Sequence, residues 1–168
     1  MVERVKVVAV LAANPALASI LTMVLASAPT LRVRNFDNEA TLVAYMRLAP
    51  VDLLVVDFDR EEAPADLVAH AVRHDTTLVR RDFSIIALTR TVTDTTKRAA
   101  IVAGIDEVIV KPMSPRYLLE RVQSLLKRQE AAITERGLYH GPDRRGRLPF
   151  GKFPVLAFSR STDKVVPL

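Results

Sequence analysis

The sequence predicts an α/β domain in which helices cover both faces of a five-stranded parallel sheet. Short apolar runs alternate with helical patterns five times between residues 5 and 134. Most of these runs are strongly apolar, as in strands buried on both sides. Two helix starts share one pattern, because Asn14-Pro15 and Ser114-Pro115 each place a capping side chain before a proline whose missing N–H costs nothing.

The first strand is predicted at residues 5–11, and a helix follows the Asn-Pro pair at 14–15. No charged residue occurs between Lys6 and Arg32, so this stretch also resembles a secretion signal with its cleavage site at 26–28 (Ala-Ser-Ala). The Asn-Pro pair would interrupt the apolar core of such a signal. The pattern therefore favours a strand, a turn and a helix.

The remaining elements follow in order along the chain. Strands are predicted at four further apolar runs, residues 31–34, 52–57, 83–88 and 108–110. Helices are predicted between and after them, at residues 38–48, 64–73, 93–103 and 114–134. Asp37 or Asn38 is expected to cap the second helix. Gly104 is expected to end the fourth, because glycine readily adopts the left-handed backbone of a helix C-terminus.

The charge is unevenly distributed along the chain. Residues 1–135 hold 17 basic and 17 acidic residues, whereas residues 136–168 hold 7 basic and 2 acidic residues and so account for the net charge of +5. We therefore predict a neutral domain over 1–135 and a basic tail over 136–168 without an independent fold. The absence of cysteine excludes disulfides, thiolate metal sites and a cysteine nucleophile, and it fits a cytoplasmic protein.

The candidate site lies at the carboxyl ends of the predicted strands, where parallel α/β sheets bind their ligands. The side chains just past those ends are Ala12, Ala13, Asp57, Thr89 and Lys111. One carboxylate, one hydroxyl and one ammonium group are thus expected to meet there.

Three motifs resemble the receiver domain of bacterial two-component response regulators (CheY-like). They are VDLLVVD ending at Asp57, IIALT ending at Thr89, and AGIDEVIVKPMSPRYLLERV around Lys111. The resemblance covers residues 4–128 and implies a flavodoxin-like, doubly wound sheet of order 2-1-3-4-5. It also implies that Asp57 is the phosphoacceptor position, that Thr89 contacts the phosphoryl group, and that Lys111 pairs with it.

The chain departs from this family at several positions. The acidic pair that binds Mg²⁺ in the family should fall on Ala12 and Ala13, and alanine methyls offer none of the oxygen ligands that Mg²⁺ needs. Because charge neutralisation by the metal supplies much of phosphoryl-transfer catalysis, this loss is severe. Arg90 replaces an expected small residue, and Val108 replaces the switching aromatic. We therefore predict a pseudo-receiver, a receiver fold with a degenerate active site.

The remaining site residues are expected to make contacts within the protein or with solvent rather than to take part in phosphoryl transfer. Asp57 is expected to be a remnant paired with Lys111, because two buried opposite charges need each other. Thr89 is expected to bond to the backbone at the end of its strand. Arg90 either lies over the pocket, bonded to Asp57, or points to solvent.

Two further groups of titratable residues are candidate metal ligands, and neither is predicted to bind a metal. Asp59, Glu61 and Glu62 could bring a substitute carboxylate to a metal, but they are taken as a solvated acidic loop. His70 and His74 have metal-ligand spacing on one helix face. Without an evident third ligand, no metal site and no cofactor is predicted.

The predicted function is a phosphorylation-independent protein-interaction module of bacterial signalling, and not an enzyme. The resemblance implies a docking face formed by the fourth helix, fifth strand and fifth helix. The partner would be a kinase, another signalling protein or a second copy of the chain, and no membrane is involved. The predicted residues of this face are Lys97, Arg98, Val108, Arg116 and Tyr117.

Two alternatives remain open. The first is a conventional phospho-aspartate response regulator with unusual metal ligation, which a Mg²⁺ titration would reveal. The second is a cyclic-dinucleotide or nucleic-acid effector acting through the tail, where Arg144, Arg145 and Arg147 suit bidentate contacts to phosphate. Salt-dependent binding of an anionic ligand, lost on deleting residues 137–168, would identify this effector.

Overall fold

The structure, a computed structural model, describes residues 4–59 and 64–136. Within these residues five strands alternate with five helices. The strands are β1 (Lys6–Leu11), β2 (Leu31–Phe36), β3 (Leu53–Asp57), β4 (Ser84–Thr89) and β5 (Glu107–Val110). The helices are α1 (Pro15–Ala26), α2 (Glu39–Leu48), α3 (Ala65–His74), α4 (Asp94–Ala103) and α5 (Pro115–Arg136). All strands pair in parallel in the order β2-β1-β3-β4-β5, so the predicted fold class and strand order are confirmed.

The sheet separates two apolar layers. Alternate strand residues point to opposite faces, so neighbours such as Leu53 and Leu54 pack into different layers. Helices α1 and α5 cover one face, and α2, α3 and α4 cover the other. Strand β1 lies between β2 and β3, and Val8 is paired with both Val33 and Leu53. The strand order therefore changes direction at β1, beside the carboxyl end where the site lies.

The stretch between the first two strands forms the predicted strand, turn and helix. The Oδ1 atom of Asn14 accepts a hydrogen bond of 2.9 Å from the backbone N–H of Ala16, so the asparagine caps α1 as expected. Ser114 Oγ likewise accepts from the backbone N–H of Tyr117 at 3.1 Å. Gly104 ends α4 with a left-handed φ of 81°. In the part of the chain that the structure describes, no helix is both long and apolar enough to cross a membrane.

Two aspartates, the buried Asp52 and the half-buried Asp106, fix the register at the amino ends of the strands. Asp52 donates its N–H to Val7 O at 2.9 Å and accepts the Val7 N–H on its carboxylate at 2.7 Å. Asp106 makes the same pair of bonds to Ile85, at 2.9 and 2.6 Å. Each side chain thus supplies the acceptor that the next backbone carbonyl would supply in a longer ladder. The sequence pattern gave no indication of these contacts.

Two element boundaries differ from the prediction by two residues, and several others differ by one. Strand β2 continues to Phe36, because its last two residues pair with Val10 and Leu11 of β1. As an edge strand it carries outward polar residues, Arg34 among them, which hide its extent in the sequence. Helix α5 extends to Arg136 rather than 134.

Leu54 provides a test of the packing between the sheet and α2 and α3. It is fully buried in the layer on that face, whereas Leu48 at the end of α2 is 85% exposed. We expect Leu54→Ala to lower the free energy of unfolding by about 2–5 kcal/mol, because it leaves a cavity. The same substitution at Leu48 should change it by less than about 0.5 kcal/mol. Urea denaturation of both variants measures this, and equal losses would contradict the assigned burial.

Candidate functional site

The site lies at the carboxyl ends of β1, β3, β4 and β5, beside a cavity of about 810 Å³. Helix α1 contributes the apolar side chains of Leu17 and Ile20 to the cavity lining. The charged groups of the lining are Asp57, Asp59, Arg90 and Lys111. Charged side chains from β3 and β5 are therefore brought together as the sequence predicts, and Asp59 joins them.

Asp57 and Lys111 form the expected ion pair. The ammonium Nζ of Lys111 donates to Asp57 Oδ1 at 2.8 Å. The side chain of Lys111 is only 17% exposed, and that of Asp57 only 10%. Partial burial removes both charges from water, so each depends on the other for compensation. The pair spans the sheet from the end of β3 to the residue after β5.

Asp59 belongs to the site, although the sequence interpretation favoured a solvated loop for it. Its Oδ2 lies 3.0 Å from Lys111 Nζ and accepts the backbone N–H of Arg90 at 2.8 Å. Its Oδ1 accepts a bond of 2.9 Å from Thr89 Oγ1, and its own N–H donates to Asp57 Oδ1 at 3.1 Å. The interpretation of Asp59 as part of a solvated loop is therefore wrong. Its position two residues after a strand-end acid was the available clue.

The surroundings of Asp59 keep its carboxylate ionised. Partial burial acts to raise the pKa of this carboxyl, but hydrogen bonds from Lys111, from Thr89 and from the Arg90 backbone outweigh burial. The net result is a pKa below the ordinary value of 3.8. A charged acceptor is thus present in the site at neutral pH.

Thr89 and Arg90 are both occupied by contacts at this edge. Thr89 Oγ1 lies 2.9 Å from Thr91 O as well as from Asp59, so the expected backbone contact is accompanied by a side-chain contact. Arg90 is 78% exposed, and its Nε lies 3.4 Å from Asp59 Oδ2. Arg90 thus lines the pocket, but its acidic partner is Asp59 and not Asp57.

The residues present do not fit the Mg²⁺ ion of the resembling family. Ala12 is 4% exposed and packs in the layer beneath α1 and α5, and neither it nor Ala13 has a side-chain oxygen. The carboxylates of Asp57 and Asp59 both contact Lys111, which places a cation between them already. Over residues 4–59 and 64–136 no group of three acidic or histidine side chains is placed to hold a metal.

The predicted docking face needs correction at two positions. Lys97 is 6% exposed, with Asp94 3.6 Å away, and Val108 is fully buried. Neither side chain is accessible to a partner, because α4 and the strand core cover them. Arg98 and Arg116 are exposed, and Tyr117 is half-buried. Of the five predicted residues, only these three are therefore accessible to a partner.

The structure describes the two candidate histidines of α3, but not the candidate arginines of the tail. His70 and His74 stack with ring centroids 4.2 Å apart, and His74 Nδ1 lies 2.8 Å from the His70 carbonyl oxygen. This stacked pair on α3 accounts for their spacing. The tail arginines Arg144, Arg145 and Arg147, like Glu61 and Glu62, lie outside the described residues.

Comparison with solved structures identifies the fold as that of response-regulator receiver domains. The chemotaxis protein CheY4 of Vibrio cholerae matches with a TM-score of 0.65 and 19% identity, over 71% of this chain and 98% of that one. A CheY-like response regulator receiver domain protein from Methanospirillum hungatei JF-1 matches with a TM-score of 0.68 and 19% identity, over 76% and 98%. No family model matches the chain.

A curated relative shares part of the sequence. The cyclic di-GMP phosphodiesterase response regulator RpfG of Xanthomonas campestris pv. campestris (strain 8004) is 29% identical over 113 residues. The match covers 66% of this chain but only 29% of RpfG. The chain thus matches less than a third of the length of this relative.

The lowered pKa of Asp59 makes its contribution to stability pH-dependent. Because the folded value lies below 3.8, the stabilisation is complete above that pH and is lost as the pH falls through the folded value. We expect Asp59→Asn to cost roughly 1 kcal/mol at neutral pH and progressively less in acid. Urea denaturation at a series of pH values measures the difference, with Asp66→Asn as a control for lost charge. A difference independent of pH would contradict the assigned contacts.

Proposed function

We propose that the chain is a pseudo-receiver of the response-regulator family, which works as a protein-interaction module without phosphorylation. The observation that carries this proposal is the sharing of Lys111 by two carboxylates, from Asp57 and Asp59. The lysine that would pair with an incoming phosphoryl group is already neutralised. The role is one of binding rather than catalysis, and we place it in the cytoplasm.

Electrostatics disfavours phosphoryl transfer to Asp57. A phosphoryl group there would add negative charge close to Asp59, whose own N–H is bonded to Asp57 Oδ1 at 3.1 Å. In working phosphoryl-transfer sites metal ions offset such charge. Here Ala12 and Ala13 supply no ligand for one, so the repulsion would be opposed mainly by Lys111 and the exposed Arg90.

The proposed docking surface, the α4–α5 face, consists of the accessible groups of Arg98, Arg116 and Tyr117. Arg116 is 89% exposed and contacts Glu120 of the same helix at 2.9 Å. Exposed guanidinium groups beside a half-buried ring suit a partner with an acidic rim and an apolar centre. The partner would be a kinase, another signalling protein or a second copy of the chain.

A phosphodonor experiment tests the independence from phosphorylation. We expect no phosphoryl adduct at Asp57 when the purified protein is incubated with Mg²⁺ and acetyl phosphate, as measured by intact mass. Amide NMR spectra with beryllofluoride should likewise show no shifts near Asp57. Asp57→Asn is the negative control. A stoichiometric, Mg²⁺-dependent adduct lost in that variant would establish the alternative, a conventional response regulator.

Self-association tests the α4–α5 face with the chain itself as partner. If a second copy binds there, sedimentation over rising concentration should show a dimer. Reversing charge with Arg98→Glu and Arg116→Glu should weaken it at least about tenfold, or about 1.4 kcal/mol. Arg32→Glu, on the exposed edge strand β2, is the matched control. A monomer at every concentration would exclude the second copy as the partner.

A second candidate function rests on the charge distribution. The +5 net charge belongs to residues 136–168, where an arginine cluster suits an anionic ligand such as a cyclic dinucleotide or nucleic acid. The name of the relative RpfG joins a response regulator with cyclic di-GMP turnover, which makes cyclic di-GMP the first ligand to try. This candidate concerns the tail, and it is compatible with an interaction role for the domain.

A further inference from the structure

Three donors from different parts of the fold converge on the Asp59 carboxylate. They are the Thr89 hydroxyl at 2.9 Å, the Arg90 backbone N–H at 2.8 Å and the Lys111 ammonium at 3.0 Å. Two come from the end of β4 and one follows β5. A hydroxyl, a backbone N–H and an ammonium group that together contact both oxygens of one carboxylate form a site for an oxyanion. Here the oxyanion is a side chain of the protein itself.

We propose that Asp59 is a built-in ligand, which fills an oxyanion-binding site suited to phosphate or sulfate and keeps it in the bound arrangement. Thr89 and Lys111 are the residues that the receiver resemblance places against a phosphoryl group, and both contact Asp59. The carboxylate thus takes the place of that group without any covalent step. This inference rests on the proposed pseudo-receiver function, and it explains how the site can keep the bound arrangement without phosphorylation.

Tethering lets the carboxylate exclude free anions. Asp59 lies two residues after Asp57 and is held towards it by the bond from its N–H to Asp57 Oδ1, of 3.1 Å. A ligand tethered this closely acts at an effective concentration in the millimolar range or above. Free phosphate would also have to approach the negative charges of both aspartates. The intact site should therefore bind free phosphate weakly or not at all.

Removing the Asp59 carboxylate should reverse this preference. Among residues 4–59 and 64–136, the intact site holds two acidic side chains, Asp57 and Asp59, and two basic ones, Arg90 and Lys111, whose charges balance. Without Asp59 the site has an excess of one positive charge and three donors without their shared acceptor. Phosphate can then satisfy all three donors at once, as the carboxylate did.

The bound arrangement extends towards α4. Thr89 Oγ1 accepts the backbone N–H of Thr91 at 3.3 Å, and its single proton is shared between Asp59 Oδ1 and Thr91 O, each 2.9 Å away, which ties the loop after β4 to the site. The loop leads directly to Thr93, the residue that caps α4 by accepting the Thr96 N–H at 3.1 Å. Asp59 thus holds the segment that positions α4, and with it Arg98 of the α4–α5 face.

Phosphate titration followed by amide NMR tests the proposal. The variants are Asp59→Ala and Asp59→Asn, with Asp66→Ala as the control for lost charge and sodium chloride added to match ionic strength. We expect saturable shifts at residues 89–91 in the Asp59 variants, with binding at least about tenfold tighter than in the unaltered protein or the control. Adding Lys111→Ala to Asp59→Ala should abolish the gain.

Two results would overturn the proposal. One is a folded Asp59 variant, judged by its dispersed amide spectrum, that gains no phosphate binding. The other is an unaltered protein that binds phosphate as tightly as the variants do. The asparagine variant keeps the shape of the side chain, so the test survives if the alanine variant fails to fold. The proposed function fails by a different readout, an adduct at Asp57 of the unaltered protein with Mg²⁺ and acetyl phosphate.

Discussion

Lys111 contacts two carboxylates at once, and the arrangement of the site depends on this sharing. The ammonium group lies 2.8 Å from the Asp57 carboxylate and 3.0 Å from the Asp59 carboxylate, so it offsets the repulsion between them. The two residues are also joined by the hydrogen bond from the Asp59 N–H to Asp57 Oδ1. Without it, two partly buried negative charges would lie side by side without a compensating cation. The cation that organises this edge of the sheet is therefore part of the chain, delivered by the residue after β5.

The fold was predictable because its determinants are local and repeated. Continuous apolar runs, capping side chains before proline and a left-handed glycine each act within a few residues, and together they predict the alternation of strands and helices. The exceptions are long-range. Asp52 and Asp106 fix the register by bonding to Val7 and Ile85 on neighbouring strands, and no short window of sequence contains both partners.

The site was predictable only in part, for the same reason. Strand ends placed Asp57, Thr89 and Lys111 together, since parallel strands finish at one edge. The role of Asp59 depends on the turn after β3, which directs its carboxylate back towards β4. In the sequence Asp59 stands close to further acidic residues, and its acidic character does not distinguish it from them. The burial of Val108 follows from its packing in the apolar layer beneath α2, α3 and α4, which a surface assignment by resemblance overlooks.

The two alanines after β1 differ in how readily a carboxylate could replace them. Ala13 is exposed, so a carboxylate there would not enter the core. The methyl group of Ala12 is packed with apolar side chains beneath α1 and α5, and a lone charge in that layer would be expensive. A pair of carboxylates at these two positions would thus require coordinated changes in the core, and single substitutions would not supply it.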